Sequence, residues 1–201
     1  MSDFIDIIVK GGAVMVPLLA CSIIGLTVVI ERWLFWRRIG NRQLAESLLD
    51  LVERGELNKA AESARQTDSP LVRVLVSGLM HRNAITKALE VAAQREIPVL
   101  KQRLTILDTI ITLAPLLGLL GTVTGMIGSF GIMSQVGIGQ PHAVTGGVAE
   151  ALIATATGLL IAILTLVPYN YFSNRAEREM EEIEYYASRL ELALSGAKEQ
   201  K

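Results

Sequence analysis

The residues best placed to do chemistry in this sequence are one acid and a few hydroxyls set inside long apolar runs. Glu150 is the one unambiguous acid deep in such a run, with Thr155 and Thr157 following it and Thr122 in the run before. A carboxylate in hydrocarbon is costly unless it faces a wet cavity, pairs with another group or takes up a proton, so Glu150 reads as part of a proton or ion pathway. The plainer reading is a glutamate satisfied by backbone amides near Gly146 and Gly147 and reached by water. Threonine hydroxyls both donate and accept, so a line of them can solvate a hydrated proton or a cation without carrying charge. On a helix Thr157 falls almost in line with Glu150, whereas Thr155 is turned away by ~140°. One pathway uses both only if it runs between helices or between subunits. The competing use of each hydroxyl is a bond to its own helix backbone. Asp108, at the mouth of the second apolar run, is a candidate cytoplasmic exit, or a simple interfacial acid within reach of Arg103.

Small residues frame these polar groups. Ala114, Gly118, Gly121, Gly125 and Gly128 recur at three- and four-residue steps, bordered by Thr122 and Ser129. The third run repeats the theme with Gly147, Ala151, Ala154, Gly158 and Ala162. Such stripes let another helix approach closely, either from the same chain or from a partner.

Other chemistries lack their residues. The two histidines, His81 and His142, are far apart, and no HExxH, GxSxG, Walker A or paired CxxC pattern occurs. Cys21 is the single cysteine and sits in an apolar run, where it reads as a small hydrophobe. No metal site or cofactor is expected, and no enzyme activity; any work must draw its energy from elsewhere. A net charge of −1 with no basic face argues against nucleic acid as a partner.

The elements that must position these groups follow from three apolar blocks, each near the ~20 residues that cross a bilayer. The reading is all-α, a polytopic membrane protein with three transmembrane helices at 13–32, 109–133 and 143–168. Pro17 lies inside the first, where neighbouring helices can satisfy a freed carbonyl. Trp33, Phe35 and Trp36 close that span, and Tyr169, Tyr171 and Phe172 close the third, as interfacial belts in contact with lipid. Arg32, Arg37, Arg38, Arg42, Arg95, Lys101, Arg103, Arg175 and Arg178 flank one side only. The segment 37–104 and the tail 173–201 are therefore expected in the cytoplasm, with the N-terminus and the 134–142 loop opposite. Residues 1–12 read as an amphipathic surface helix, not as a cleaved signal peptide, because Asp3 and Asp6 stand where positive charge belongs.

Within the polar segment, Leu44, Leu48, Leu49, Leu51 and Val52 predict a helix stopped by Gly55, and Leu57–Arg65 predicts a short one. Asp68-Ser69-Pro70 predicts an N-cap opening a helix to about Met80. Asn83 is expected to cap a helix that runs on into the second span, kinked at Pro98, so that long helices extend into the cytoplasm. The third helix is expected to continue to about Leu194, its acidic end forming a solvated face or helix contacts. With no repeat or linker, 1–201 reads as a single domain.

The stretch Ala114-Pro115-Leu116-Leu117-Gly118-Leu119-Leu120-Gly121-Thr122-Val123-Thr124-Gly125-Met126-Ile127 resembles the MotA/TolQ/ExbB proton-channel family. Gly147 to Leu159 resembles that family's third span, and Pro17-Leu18-Leu19 with Ile30-Glu31-Arg32 its first. Three spans and a modest cytoplasmic segment are similar to the ExbB/TolQ branch; MotA-type stators have four. The resemblance implies a homopentamer in the bacterial inner membrane around two copies of an ExbD/TolR-like single-span protein carrying an intramembrane aspartate. It implies a molecular motor in which the proton motive force drives that partner to energise TonB-dependent transport, or TolA in a TolQ-like Tol–Pal system. It matches Thr122 and Thr155 to pore threonines and Glu150 to the third span's glutamate. A non-conducting scaffold and a small secondary transporter are the competing readings, the latter disfavoured because no inverted repeat is present. Sodium could replace the proton.

Overall fold

The computed structural model describes residues 11–39, 42–56, 59, 60, 62, 69–136 and 142–199. The described residues form six α-helices and no strand: α1 Met15–Arg38, α2 Arg42–Glu53, α3 Pro70–Met80, α4 Ile85–Leu100, α5 Leu104–Val136 and α6 His142–Glu199, with a 3₁₀ turn at Arg82–Ala84. Three of them, α1, α5 and α6, contain stretches long and apolar enough to cross a membrane. Residues 1–10 of the expected surface helix and most of Leu57–Arg65 lie outside the described residues, as does most of the loop after Val136; Gly11 and Gly12, the expected end of that helix, form a turn instead, because Gly12 takes a φ of +71 that a right-handed helix does not admit.

The chain divides into two compact units. The membrane unit comprises the described part of Met1–Ile30 with Arg103–Tyr171. Met15, Leu18 and Cys21 of α1 pack with Ile110 and Ala114 of α5 and Ile161 of α6. Cys21 thus fills core volume, as its apolar setting suggests. Pro17 needs no rescue by neighbours, contrary to expectation. It occupies the first turn of α1, where a missing N–H has no intrahelical acceptor to disappoint. The Ala13 carbonyl instead accepts from the Val16 N–H at 3.3 Å. Large apolar side chains such as Ile23, Leu116 and Leu164 remain more than 60% exposed within the chain. In water such a surface would aggregate, so it calls for lipid or for other subunits.

The second, polar unit comprises Glu31–Gln102 and the described part of Phe172–Lys201. In α2, Ala45, Leu48, Leu49 and Val52 are buried at helical spacing. Gly55 ends that helix with φ +78, and the Gly55 and Glu56 amides bond back to the Val52 and Leu51 carbonyls at 3.0 and 2.9 Å. This left-handed closure is the conformation glycine adopts without a Cβ penalty. Helix α3 opens at Pro70 as expected, although Ser69 makes no side-chain cap bond. The acidic end of α6 forms helix contacts: Glu182 pairs with Arg42, Glu191 accepts from Thr86, and Tyr186 donates to Glu46 at 3.2 Å.

Two expectations about the 83–104 region are corrected. Asn83 lies within the 3₁₀ turn and Ala84 is the N-cap of α4. The helix does not run unbroken into the second span. It ends at Leu100, two residues past Pro98, and α5 restarts at Leu104 after Arg103 adopts a left-handed φ of 63°. Arg32 closes the broken end from α1. Its guanidinium is 1% exposed, bonds Glu31 at 2.7 Å, donates to the Val99 carbonyl at 3.3 Å and lies 4.3 Å over the Phe35 ring. A planar fork is needed for all three contacts at once, which an ammonium cannot supply. Arg32→Leu is expected to destabilise the detergent-solubilised protein by about 3 kcal/mol through loss of the guanidinium's contacts to Glu31, the Val99 carbonyl and Phe35, and Arg32→Lys is expected to recover only part of this in a thermal melt.

Burial, with the nearby Glu182 charge second, holds the Glu179 carboxyl above its ordinary pKa. The folded state therefore binds this proton more readily than the unfolded one. Its stabilising effect is full below the unfolded pKa and is lost as pH rises through the folded value. Glu179→Gln should raise the melting temperature at pH 7, by less than about 1 kcal/mol equivalent for a half-buried group, and the gain should vanish when the melt is repeated well below the ordinary carboxylate range.

Candidate functional site

The site is built where α5 and α6 meet. Because Gly118, Gly121 and Gly125 carry no side chain, the α6 backbone can lie directly on them. A Cβ at Gly118 would stand 3.0 Å from the Thr155 Cα and 3.1 Å from the Ala154 carbonyl. One at Gly121 would collide with the Ala154 side chain, and one at Gly125 would lie 2.8 Å from the Gly147 carbonyl. From the other side, Gly158 abuts the Ala114 carbonyl. The contact is backbone against backbone over about three turns.

Gly128, expected to share this stripe, does not. Its Cβ direction opens on empty space, whereas Ser129 is buried at 1% exposure against Gly147. The reason is the helical period. Ser129 lies eleven residues past Gly118, about three full turns, while a ten-residue step ends roughly 80° off the face. Glycine at 128 therefore plays no part in packing within the chain.

At the centre of the contact the Thr155 hydroxyl donates to the Gly118 carbonyl at 2.8 Å. In a regular helix the same carbonyl accepts from the Thr122 amide, so both threonines converge on it. The Thr122 hydroxyl itself bonds the Leu119 carbonyl at 2.6 Å, and Thr157 bonds the Ile153 carbonyl at 2.8 Å. Thr122 and Thr157 thus bond their own helices, while Thr155 alone of the three reaches across. With its proton committed, each hydroxyl presents only lone pairs, and these suit a hydronium or a metal cation.

Glu150 is not gathered into this cluster. It is half-buried and faces the start of α1, where its carboxyl presses against Gly12. Thr155 is ~7.5 Å further along α6 and turned by ~140°, so the two groups serve different faces of the helix. Asp108 is exposed near the start of α5, and the exposed Thr109 and Thr112 hydroxyls lie on the same side, each bonded to its own backbone. Gly12 joins the site without a site signal in the sequence. A Gly-Gly pair just before an apolar run signals a turn, but its partner 138 positions away carries no local mark. Among the described residues, no group of three or more His, Cys, Asp or Glu is placed to hold a metal.

Three apolar helices, two of them joined backbone to backbone around a hydroxyl–carbonyl bond, define a polytopic α-helical membrane protein with polar groups set into its helix interface. The profile of the MotA/TolQ/ExbB proton channel family matches residues 60–185, and the chain belongs to that family. It is 38% identical over 190 residues to the biopolymer transport protein ExbB-like 3 of Synechocystis sp., covering 90% of each chain. It is 28% identical over 206 residues to the biopolymer transport protein ExbB of Neisseria meningitidis, covering 92% of each, and 42% identical over 93 residues to the Tol-Pal system protein TolQ of Pseudomonas aeruginosa, covering 46% of this chain and 40% of the relative.

The packing makes opposite forecasts for neighbouring glycines. Gly158→Leu should separate α5 from α6 and cost more than about 3 kcal/mol, because backbone atoms cannot yield as a side chain can. Gly128→Ala should change the melting temperature of the purified protein hardly at all.

Proposed function

We propose that this chain is the channel and motor subunit of an ExbB–ExbD-like complex in the bacterial inner membrane. In this reading a homo-oligomer, expected to be a pentamer, surrounds two copies of a single-span ExbD/TolR-like protein. The N-terminus is periplasmic, and the polar unit and C-terminus are cytoplasmic, as the one-sided distribution of Lys and Arg favours. Protons enter near Glu150, pass the acceptor oxygens of Thr155, Thr122 and Thr157, and leave past Asp108. One charge crossing ~100 mV releases ~2.3 kcal/mol, enough to bias a step of the partner helix when conduction and movement are coupled.

The observation that best supports this reading is the cross-helix bond from Thr155 to the Gly118 carbonyl beside Thr122. Small residues and the cross-helix bond would serve the packing of a non-conducting scaffold as well; a hydroxyl oxygen held there with its lone pairs presented also suits a passing cation. The outward apolar faces of α5 and α6 fit a ring of subunits around a partner helix, and the smooth glycine surface at Gly128 offers that helix little to catch on. The work would go to TonB-dependent transport across the outer membrane, given the relatives named ExbB. The similarity to a TolQ favours a Tol–Pal role as the second reading, and pathway residues of this type serve sodium as well as protons.

In cells carrying this chain with its single-span partner, Glu150→Ala and Thr155→Val should each abolish pmf-dependent partner function at unchanged expression. Thr155→Ser, which keeps the hydroxyl, should retain much of it. Undiminished function in both of the first two variants would sink the proposal. Restoration of siderophore uptake, rather than detergent resistance, in strains lacking the respective native system distinguishes the TonB role from the Tol–Pal role.

A further inference from the structure

The Glu150 carboxyl has one unusual neighbour. A Cβ at Gly12 would overlap its Oε1 and stand 2.7 Å from Cδ and 3.2 Å from Cγ, so the carboxyl lies where any other residue would place its side chain. Gly12 also has φ +71, a backbone conformation that L side chains rarely adopt. The backbone angle favours glycine at this position, and any side chain added there would have to displace the Glu150 carboxyl, the flexible end of its side chain. The adjoining chain is fixed to the same surface. A Cβ at Gly11 would lie 3.2 Å from Ile153, one turn along α6 from Glu150, and Val14 reaches within 3.7 Å of the Cβ direction of Gly121. The turn that starts α1 is thus laid across both α6 and α5, with Glu150 seated on it.

From this geometry we infer that Gly12 is the positioning residue for Glu150, seating its carboxyl on the turn that leads into α1. Glu150 does not simply line a pore wall made by α5 and α6. Its carboxyl lies against the turn that precedes α1, so the acid of the third span meets the start of the first. The functional consequence rests on the channel reading above; the geometry does not.

The test uses the full chain co-expressed with its single-span partner, in native membranes. A water-soluble carbodiimide labels accessible carboxyls, and mass spectrometry reads the modification rate of the Glu150 peptide. Gly12→Ala should expel the carboxyl from its seat and raise that rate about three- to tenfold, the range set by forcing a side chain off a favoured rotamer. Gly55→Ala is the control for backbone strain alone, because Gly55 has φ +78 and nothing within 4 Å of its Cβ direction; it should leave the Glu150 rate unchanged. If Gly12→Ala impairs assembly, the double variant Gly12→Ala/Glu150→Asp should recover it, since the shorter acid withdraws from the added methyl group. In proton flux, the pH profile of Gly12→Ala should shift, and the double variant should return towards that of Glu150→Asp alone. A Glu150 labelling rate in Gly12→Ala equal to wild type, or an equal change in Gly55→Ala, would each overturn the inference. Labelling that responds as expected in a complex carrying no proton current would uphold the positioning role while removing the channel reading.

Discussion

The structure of the membrane unit depends on how closely α5 and α6 approach. Lipid tails are as apolar as leucine, so spans in a bilayer gain little from hiding apolar side chains from each other. What joins them is close contact and polar bonding. Glycine and alanine at 114, 118, 121, 125, 147, 151, 154 and 158 bring backbone onto backbone, and that proximity alone lets a side chain as short as Thr155 reach the Gly118 carbonyl. The interface is therefore stabilised and chemically defined by the same residues. A bulkier stripe would remove the polar seam along with the packing.

The proposed channel role is what would give this seam its meaning. In a proton channel the transported charge must be solvated without being trapped, and neutral hydroxyls already committed as donors offer lone pairs of moderate strength. Acids that could bind more strongly stand at the two ends, Glu150 beside the start of α1 and Asp108 near the start of α5. This separation of fixed acids from neutral acceptors is a property of the helix faces, not of sequence proximity. Glu150 and Thr155 are five residues apart yet look in different directions.

Much of this was legible in the sequence. Charge-free apolar runs of sufficient length have few alternatives to spanning helices, and the three spans lie where those runs lie. The Gly55 stop and the Pro70 start follow from backbone chemistry that is local to each residue. The break at Lys101–Arg103 was not legible, because no glycine marks it and an arginine takes up the left-handed angle; Pro98 signalled trouble three residues early. Gly128 misled because three- and four-residue steps both continue a small-residue stripe, and only the accumulated 3.6 period selects Ser129. The seat of Glu150 on Gly12 depends on two segments far apart in the chain, which no periodicity connects. Residues 1–10 lie outside the described structure, so the surface helix expected there stays an expectation.

The central claim is that the α5–α6 seam carries charge. It is tested most directly by reconstituting the chain with its single-span partner in liposomes, imposing an inside-negative potential, and following internal pH. The account predicts uncoupler-independent acidification in wild type that is lost in Thr155→Val and retained in Thr155→Ser, with the complex intact in all three. Acidification by Thr155→Val at the wild-type rate would contradict it.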